Sequence, residues 1–173
     1  MPGRIEFSTS NDGSSSPTVR ATFNSSGSFI IGGTSSSIDV ASGSAARLQV
    51  KHTTGNISAA FYSTANASGP AGILALGHAR STVSGALQED DVMGEIRFAG
   101  GDGTDLESVG ASIKGVVNAT PGSNDMPGAI RFGTTADGAA VTTDHWQINR
   151  SGVLDALNSG AMIRFLHGHT VTA

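Results

Sequence analysis

Pro127-Gly128-Ala129-Ile130-Arg131-Phe132, then Asp137-Gly138, then Asn149-Arg150-Ser151-Gly152: this stretch decides how the chain is read, because it occurs twice without a gap. Pro2-Gly3-Arg4-Ile5-Glu6-Phe7, Asp12-Gly13 and Asn24-Ser25-Ser26-Gly27 keep its order and spacing, and Met1 and Met126 precede the two copies alike. A partial copy opens at Gly94-Glu95-Ile96-Arg97-Phe98 and reaches Asp102-Gly103 by a shorter path. Another opens at Gly160-Ala161-Met162-Ile163-Arg164-Phe165. Repetition on this scale marks one supersecondary unit stacked on itself.

Outward from these copies, apolar residues alternate with polar ones between turn residues, which predicts strands. Residues 1–33 read as a strand with Ile5, Phe7 and Thr9 on one face, an Asn11-Asp12-Gly13 turn, and a strand through Val19, Ala21 and Phe23. A Ser25-Ser26-Gly27 turn then leads into Phe29-Ile30-Ile31. Residues 34–46 are a Ser/Gly-rich connector. A β module follows at 47–92, opening at Leu48-Gln49-Val50 and ending beyond Ile73-Leu74-Ala75-Leu76. The second copy occupies 93–118, the third 119–156, and the partial fourth 157–173. Ser81–Asp91 is the one place with room for a short helix, and Gly85 weighs against it. Met1 sits at a repeat position and the fourth copy runs out within a few residues, so the expectation is a segment of a longer chain.

Composition bounds the fold further. With 5% aromatic residues, 14% charged residues and 24 glycines, the chain is poor in large core-forming groups. Its mean hydropathy is nonetheless near zero, and its apolar residues come in patterned runs, unlike a disordered tail. A chain patterned for strands but short of core buries its apolar residues against copies of itself. Net charge of -4 without a basic stripe speaks against nucleic acid. No apolar run approaches the roughly 18 residues of a membrane helix, so no membrane insertion is expected. The absence of cysteine removes disulfides and thiolate metal sites.

The unit Pro-Gly-x-Ile-x-Phe, Asp-Gly, Asn-x-Ser-Gly at 2–29 and 127–154 resembles the repeats of bacteriophage tail fibres and tailspikes, and the Leu48–Gly77 module is similar to other segments of such fibres. The resemblance implies an all-β, elongated homotrimeric fibre, built as an intertwined triple-stranded β-helix or as β-prism repeats. It implies a place in the virion tail after assembly in the host cytoplasm, with contacts to other tail or baseplate proteins and to a host surface glycan or outer-membrane receptor. In such an assembly Ile5, Phe7, Ile96, Phe98, Ile130, Phe132, Ile163 and Phe165 point inward, and Glu6, Arg97, Arg131 and Arg164 face water. Three chains supply the core that one lacks, and glycine lets them approach closely.

His167 and His169 continue the inward row of Ile163 and Phe165, because strand residues two apart share a face. Under threefold symmetry they bring six imidazoles to one axis, a nitrogen cage suited to one divalent, iron-like transition metal per trimer. Such metal sites are what the resemblance allows; the alternative is a pair of loop histidines around a turn at Gly168. The acids Glu89-Asp90-Asp91, Asp102, Asp105 and Glu107 are not paired as a glycosidase needs, and read as loop acids. Trp146 and Tyr62 are amphipathic aromatics able to stack on a sugar, but Trp146 stands where the first copy has Ala21 and reads as a packed residue. No phosphate loop, nucleophile elbow or zinc-protease helix is present. The expected function is therefore structural and receptor-binding, not enzymatic, with no cofactor demanded beyond the metal. The rivals are an accessory module of a polysaccharide-depolymerising tailspike and a bacterial trimeric adhesin.

Overall fold

The computed structural model describes residues 3–32, 39, 46–51, 59–64, 66, 69 and 72–161. Among them the chain is all-β and contains no helix. It divides into two compact units, one holding the residues up to Ala75 with Ala99–Ser108, the other Leu76–Phe98 with the residues from Val109 onward.

The first unit holds β1 (Ile5–Thr9), β2 (Thr18–Phe23), β3 (Phe29–Ile31) and β4 (Leu48–Val50), hydrogen-bonded in that order. The pairs β1–β2 and β2–β3 are antiparallel, joined by the Asp12-Gly13 and Asn24–Gly27 turns. By contrast, β4 lies parallel to β3, with Phe29, Ile30 and Ile31 opposite Leu48, Gln49 and Val50. The sheet that opens with the first copy thus ends in residues that the sequence places at the start of the next module.

The second unit holds β5 (Val92–Ala99), β6 (Val109–Val117), β7 (Gly128–Thr134), β8 (Thr143–Ile148) and β9 (Leu154–Ala156), again in chain order across one sheet. Here the repeat shows in full. Ile5 faces Phe23 and Phe7 faces Ala21 in the first copy; Ile130 faces Ile148 and Phe132 faces Trp146 in the third. Both hairpins shift register at the same place, between Phe7 and Ser8 and between Phe132 and Gly133, so that Arg20 and His145 are the extra residues of matching bulges. Phe23 opposite Phe29 corresponds to Ile148 opposite Leu154.

The asparagine turns match atom for atom. Asn24 Oδ1 accepts the backbone N–H of Ser26 at 3.1 Å and of Ser28 at 2.9 Å; Asn149 Oδ1 accepts those of Ser151 at 2.9 Å and Val153 at 3.1 Å. Gly27 and Gly152 close the turns at φ of 78° and 79°, a left-handed conformation open to glycine at no steric cost. The Asn-x-Ser-Gly signature is therefore turn chemistry: a side-chain carbonyl holds two N–H groups that the sheet leaves free. Ser81–Asp91, where the sequence left room for a helix, is irregular and turn-rich instead. A Cβ at Gly85 would lie 1.5 Å from the carbonyl oxygen of Arg80, so this bend admits only glycine.

Two substitutions test this account. Asn149→Ala leaves two exposed backbone donors to water and should cost about 0.5–1.5 kcal/mol of unfolding free energy in a urea titration. Thr22 is fully buried and its Oγ1 has no hydrogen-bond partner. Thr22→Val should therefore leave the urea midpoint unchanged or raise it, and a clear fall would show that the hydroxyl is engaged.

Candidate subunit interface

Residues directly opposite in adjacent strands share a face of the sheet, so the registers assemble each face row by row. In the first unit Phe7, Ala21, Ile31 and Val50 form one row, and Ile5, Phe23, Phe29 and Leu48 the next. Phe23 stacks on Phe29 at 4.5 Å between ring centroids and meets Phe7 edge-on at 6.4 Å. In the second unit Ile113, Phe132, Trp146 and Ala156 make one row, and Gly115, Ile130, Ile148 and Leu154 the other.

These apolar rows are open. Ile5, Phe7, Phe23, Ile31, Leu48 and Val50 are 39–63% exposed, and Ile113, Ile130, Phe132, Ile148 and Leu154 are 36–51% exposed. The opposite faces are the more closed ones, with Ser112, Val116 and Ala129 buried there in the second unit, although Val117 on the Ile113 face is buried too. In the first unit Thr22 and Ile30 are fully buried and Gln49 nearly so. In the second unit the row Lys114, Arg131, Gln147 and Asp155 is a polar ladder. Arg131 Nε donates to Gln147 Oε1 at 3.3 Å, while Gln147 Nε2 and Asn149 Nδ2 donate to Asp155 Oδ2 at 3.4 and 2.7 Å. Lys114 Nζ meets Asp144 Oδ1 at 2.9 Å, and Arg131 Nη2 meets Asp90 Oδ1 at 2.6 Å. A lone water-soluble sheet would show the reverse polarity, with its apolar side covered.

The structure sorts the residues picked out in the sequence. Ile5 with Phe7, and Ile130 with Phe132, share a face as expected. Ile96 and Phe98 on β5 are also exposed on the single chain. Arg131 does not face water: its side chain is only 20% exposed because Asp90 and Gln147 hold it. Glu6 and Arg97 are more open, paired with Arg4 at 2.7 Å and Glu95 at 2.8 Å. Trp146 is half-buried in the Phe132 row, beside a cavity of about 320 Å³ that Thr134, His145, Gly160 and Ala161 complete. Tyr62 is largely exposed. His167 and His169, with Ile163, Arg164 and Phe165, lie outside the described residues. Among the described residues no three His, Asp or Glu side chains are placed to hold a metal ion.

The loop acids are engaged locally. Asp102 Oδ2 accepts the Ser108 hydroxyl at 2.8 Å, and its Oδ1 accepts the N–H of Thr104 and Asp105, which together lower its pKa. Asp91 takes both Nε and Nη2 of Arg80 at 2.6 Å and the N–H of Gln88 at 2.8 Å. The Arg80 guanidinium, then the Gln88 amide, hold this carboxyl well below the usual carboxylate range. No sequence motif announced this fork, since Arg80 and Asp91 meet only when the loop closes.

No protein-family profile matches the chain, and neither does any curated protein. Solved structures do. The carboxy-terminal domain of the bacteriophage T5 L-shaped tail fibre, solved with its intramolecular chaperone domain, aligns with 99% of this chain at a TM-score of 0.69 and 16% identity. The same carboxy-terminal domain without the chaperone aligns equally well, again at 16% identity and a TM-score of 0.69. The chain spans 51% of the first and 74% of the second. It therefore has the fold of a phage tail-fibre carboxy-terminal domain.

The Asp91 fork sets an acid limit on the second unit. A carboxyl whose folded pKa is depressed contributes stability above its unfolded pKa of about 3.9, and loses it as pH falls toward the folded value. Asp91→Asn should lower the thermal midpoint at pH 7, and the gap from the parent should close below about pH 4. An equal gap at pH 7 and pH 3 would mean that charge on Asp91 is not what the fork uses.

Proposed function

We propose that this chain is a structural and receptor-binding segment of a phage tail fibre, working as a homotrimer between the virion tail and the host surface. The observation that carries the reading is the pair of open apolar faces, one per unit, backed by closed faces. Apolar rows this wide mark a protein contact, and burial of apolar area is the main force of association. Threefold closure is what the repeats' resemblance to fibre proteins implies, and closing three sheets around an axis also shields strand edges. The likeness in fold to a tail-fibre carboxy-terminal domain supports the same reading. Assembly in the host cytoplasm and contacts to other tail proteins belong to it.

The function is mechanical reach with multivalent attachment. Three identical contacts on one shaft gain avidity without new chemistry, provided all three can engage together. A non-enzymatic role is supported by the use to which the acids are put: Asp91 and Asp102 are spent on an ion pair and on turn amides. On this reading His167 and His169 bring six imidazoles to the axis and bind one divalent transition metal per three chains.

Light scattering of the purified chain should give three times 17.4 kDa. Phe132→Asp should reduce that mass to one chain, because three carboxylates would meet in a dry contact. A folded monomer in the parent, or an intact trimer with unchanged melting in the variant, would remove the apolar face from the interface. Metal analysis on the same peak should find one transition metal per three chains, lost in the double variant His167→Ala, His169→Ala. A metal-free trimer would leave the assembly standing and end the metal proposal.

A further inference from the structure

Asp-Gly recurs in the first three copies of the repeat, as Asp12-Gly13, Asp102-Gly103 and Asp137-Gly138. In this dipeptide the carboxyl and the following amide can react with each other, because glycine places no Cβ over its nitrogen. The Gly N attacks the Asp Cγ, an N–Cγ bond forms, and a Cγ–O bond breaks. The amide hydrogen and the carboxyl OH leave together as water, and a succinimide ring remains. Water then opens the ring at either carbonyl. Attack at Cγ restores aspartate, whereas attack at the main-chain carbon leaves isoaspartate, with the backbone running through the former side chain. No electrons are exchanged, and the water lost in the first step is regained in the second.

Exposure and space do not separate the three sites. All six residues are exposed, and a Cβ on Gly13, Gly103 or Gly138 would meet nothing within 4 Å. Hydrogen bonding does separate them. Asp12 and Asp137 stand at matching places in the turns Asn11–Ser14 and Ala136–Ala139, each closed by one backbone bond, at 3.0 and 3.1 Å. Their glycines match as well, at φ of 76° and 77°. Among the described residues neither carboxyl accepts a hydrogen bond, and the N–H groups of Gly13 and Gly138 donate none. In both turns the reacting groups are free to meet. Asp102 is the opposite case. Its Oδ1 accepts the N–H groups of Thr104 at 2.8 Å and Asp105 at 3.3 Å, and its Oδ2 accepts the Ser108 hydroxyl at 2.8 Å. A carboxyl oxygen leaves as water only from the protonated group, and donors of this kind favour the ionised form. The Ser108 hydroxyl, then the two amides, lower the pKa of Asp102 accordingly. Turning toward the Gly103 nitrogen would also cost the carboxyl these donors. The same step in the sequence is thus open in two copies and locked in the third.

We propose that Asp12 and Asp137 are sites of spontaneous isoaspartate formation, and that Ser108, Thr104 and Asp105 protect Asp102 from it. The reaction needs no partner and does not depend on the attachment reading. It adds a methylene to the main chain at matched points of two copies while the charge stays the same. The purified chain is incubated in warm, mildly acidic buffer, once folded and once unfolded in guanidinium chloride. Peptides covering each step are then followed by mass spectrometry, with fragmentation that tells isoaspartate from aspartate. In the folded chain isoaspartate should accumulate at Asp12 and Asp137 at least tenfold faster than at Asp102, a barrier difference of about 1.4 kcal/mol. In the unfolded chain the three rates should draw together. Ser108→Ala should raise the folded-state rate at Asp102 and leave the other two unchanged. Equal rates at all three sites of the folded chain, or no isoaspartate at Asp12 and Asp137, overturns the proposal. A tenfold gap that persists in guanidinium chloride would assign the difference to neighbouring sequence and overturn the protection by the fold. A folded Ser108→Ala chain with an unmoved Asp102 rate would overturn the protection by the hydroxyl. Should that variant fail to fold, the folded and unfolded parent chains decide between the outcomes by themselves.

Discussion

The whole arrangement depends on the parity of strand pairing. Side chains alternate across a pleated sheet, so one register decides which residues share a face, and a slip of one residue would exchange the faces. In both units the register puts Ile5 and Phe7, or Ile130 and Phe132, on the open side. The asparagine turns hold that register by satisfying two amides each, and the bulges at Arg20 and His145 absorb one extra residue at the same point in each hairpin. Were either device lost, the apolar rows would no longer line up across four strands.

With parity set, the two faces divide the labour. The open face offers apolar area and little else, which suits association between copies. The closed face differs between the units: Thr22, Ile30 and Gln49 are buried in the first, whereas the second has the Lys114, Arg131, Gln147 and Asp155 ladder. Hydrogen bonds along such a ladder are worth about 1 kcal/mol each net, but leaving one partner unpaired costs more. Satisfied polar networks add specificity of packing more than raw stability.

The loops complete the division. The acids at Glu89–Asp91 and Asp102–Glu107 appeared in the sequence as clusters of negative charge. Asp90, Asp91 and Asp102 prove to be fasteners, each drawing N–H, hydroxyl or guanidinium donors to itself. Fastening gives an otherwise costly irregular segment a defined course.

The strands, their turns and their alternating faces were legible in the residues because they rest on local physics. Period-2 patterning needs only neighbours in sequence, and Asn24–Gly27 and Asn149–Gly152 close through contacts a few residues apart. The repeat added the expectation of matched hairpins, and their registers agree to the residue. The pairing of β4 with β3 in parallel, the burial of Arg131 against Asp90, and the irregular path of Ser81–Asp91 were not legible. Each depends on residues distant in sequence meeting in space, and short strands carry no signal that selects a partner. Gly85 hinted at the bend, but only the carbonyl of Arg80 beside it shows why the bend needs glycine. The sequence by itself thus determined the strand-and-turn unit and which of its residues face together. Tertiary structure decided which faces are closed within one chain and which stay open, because burial is set by what long-range pairing brings alongside.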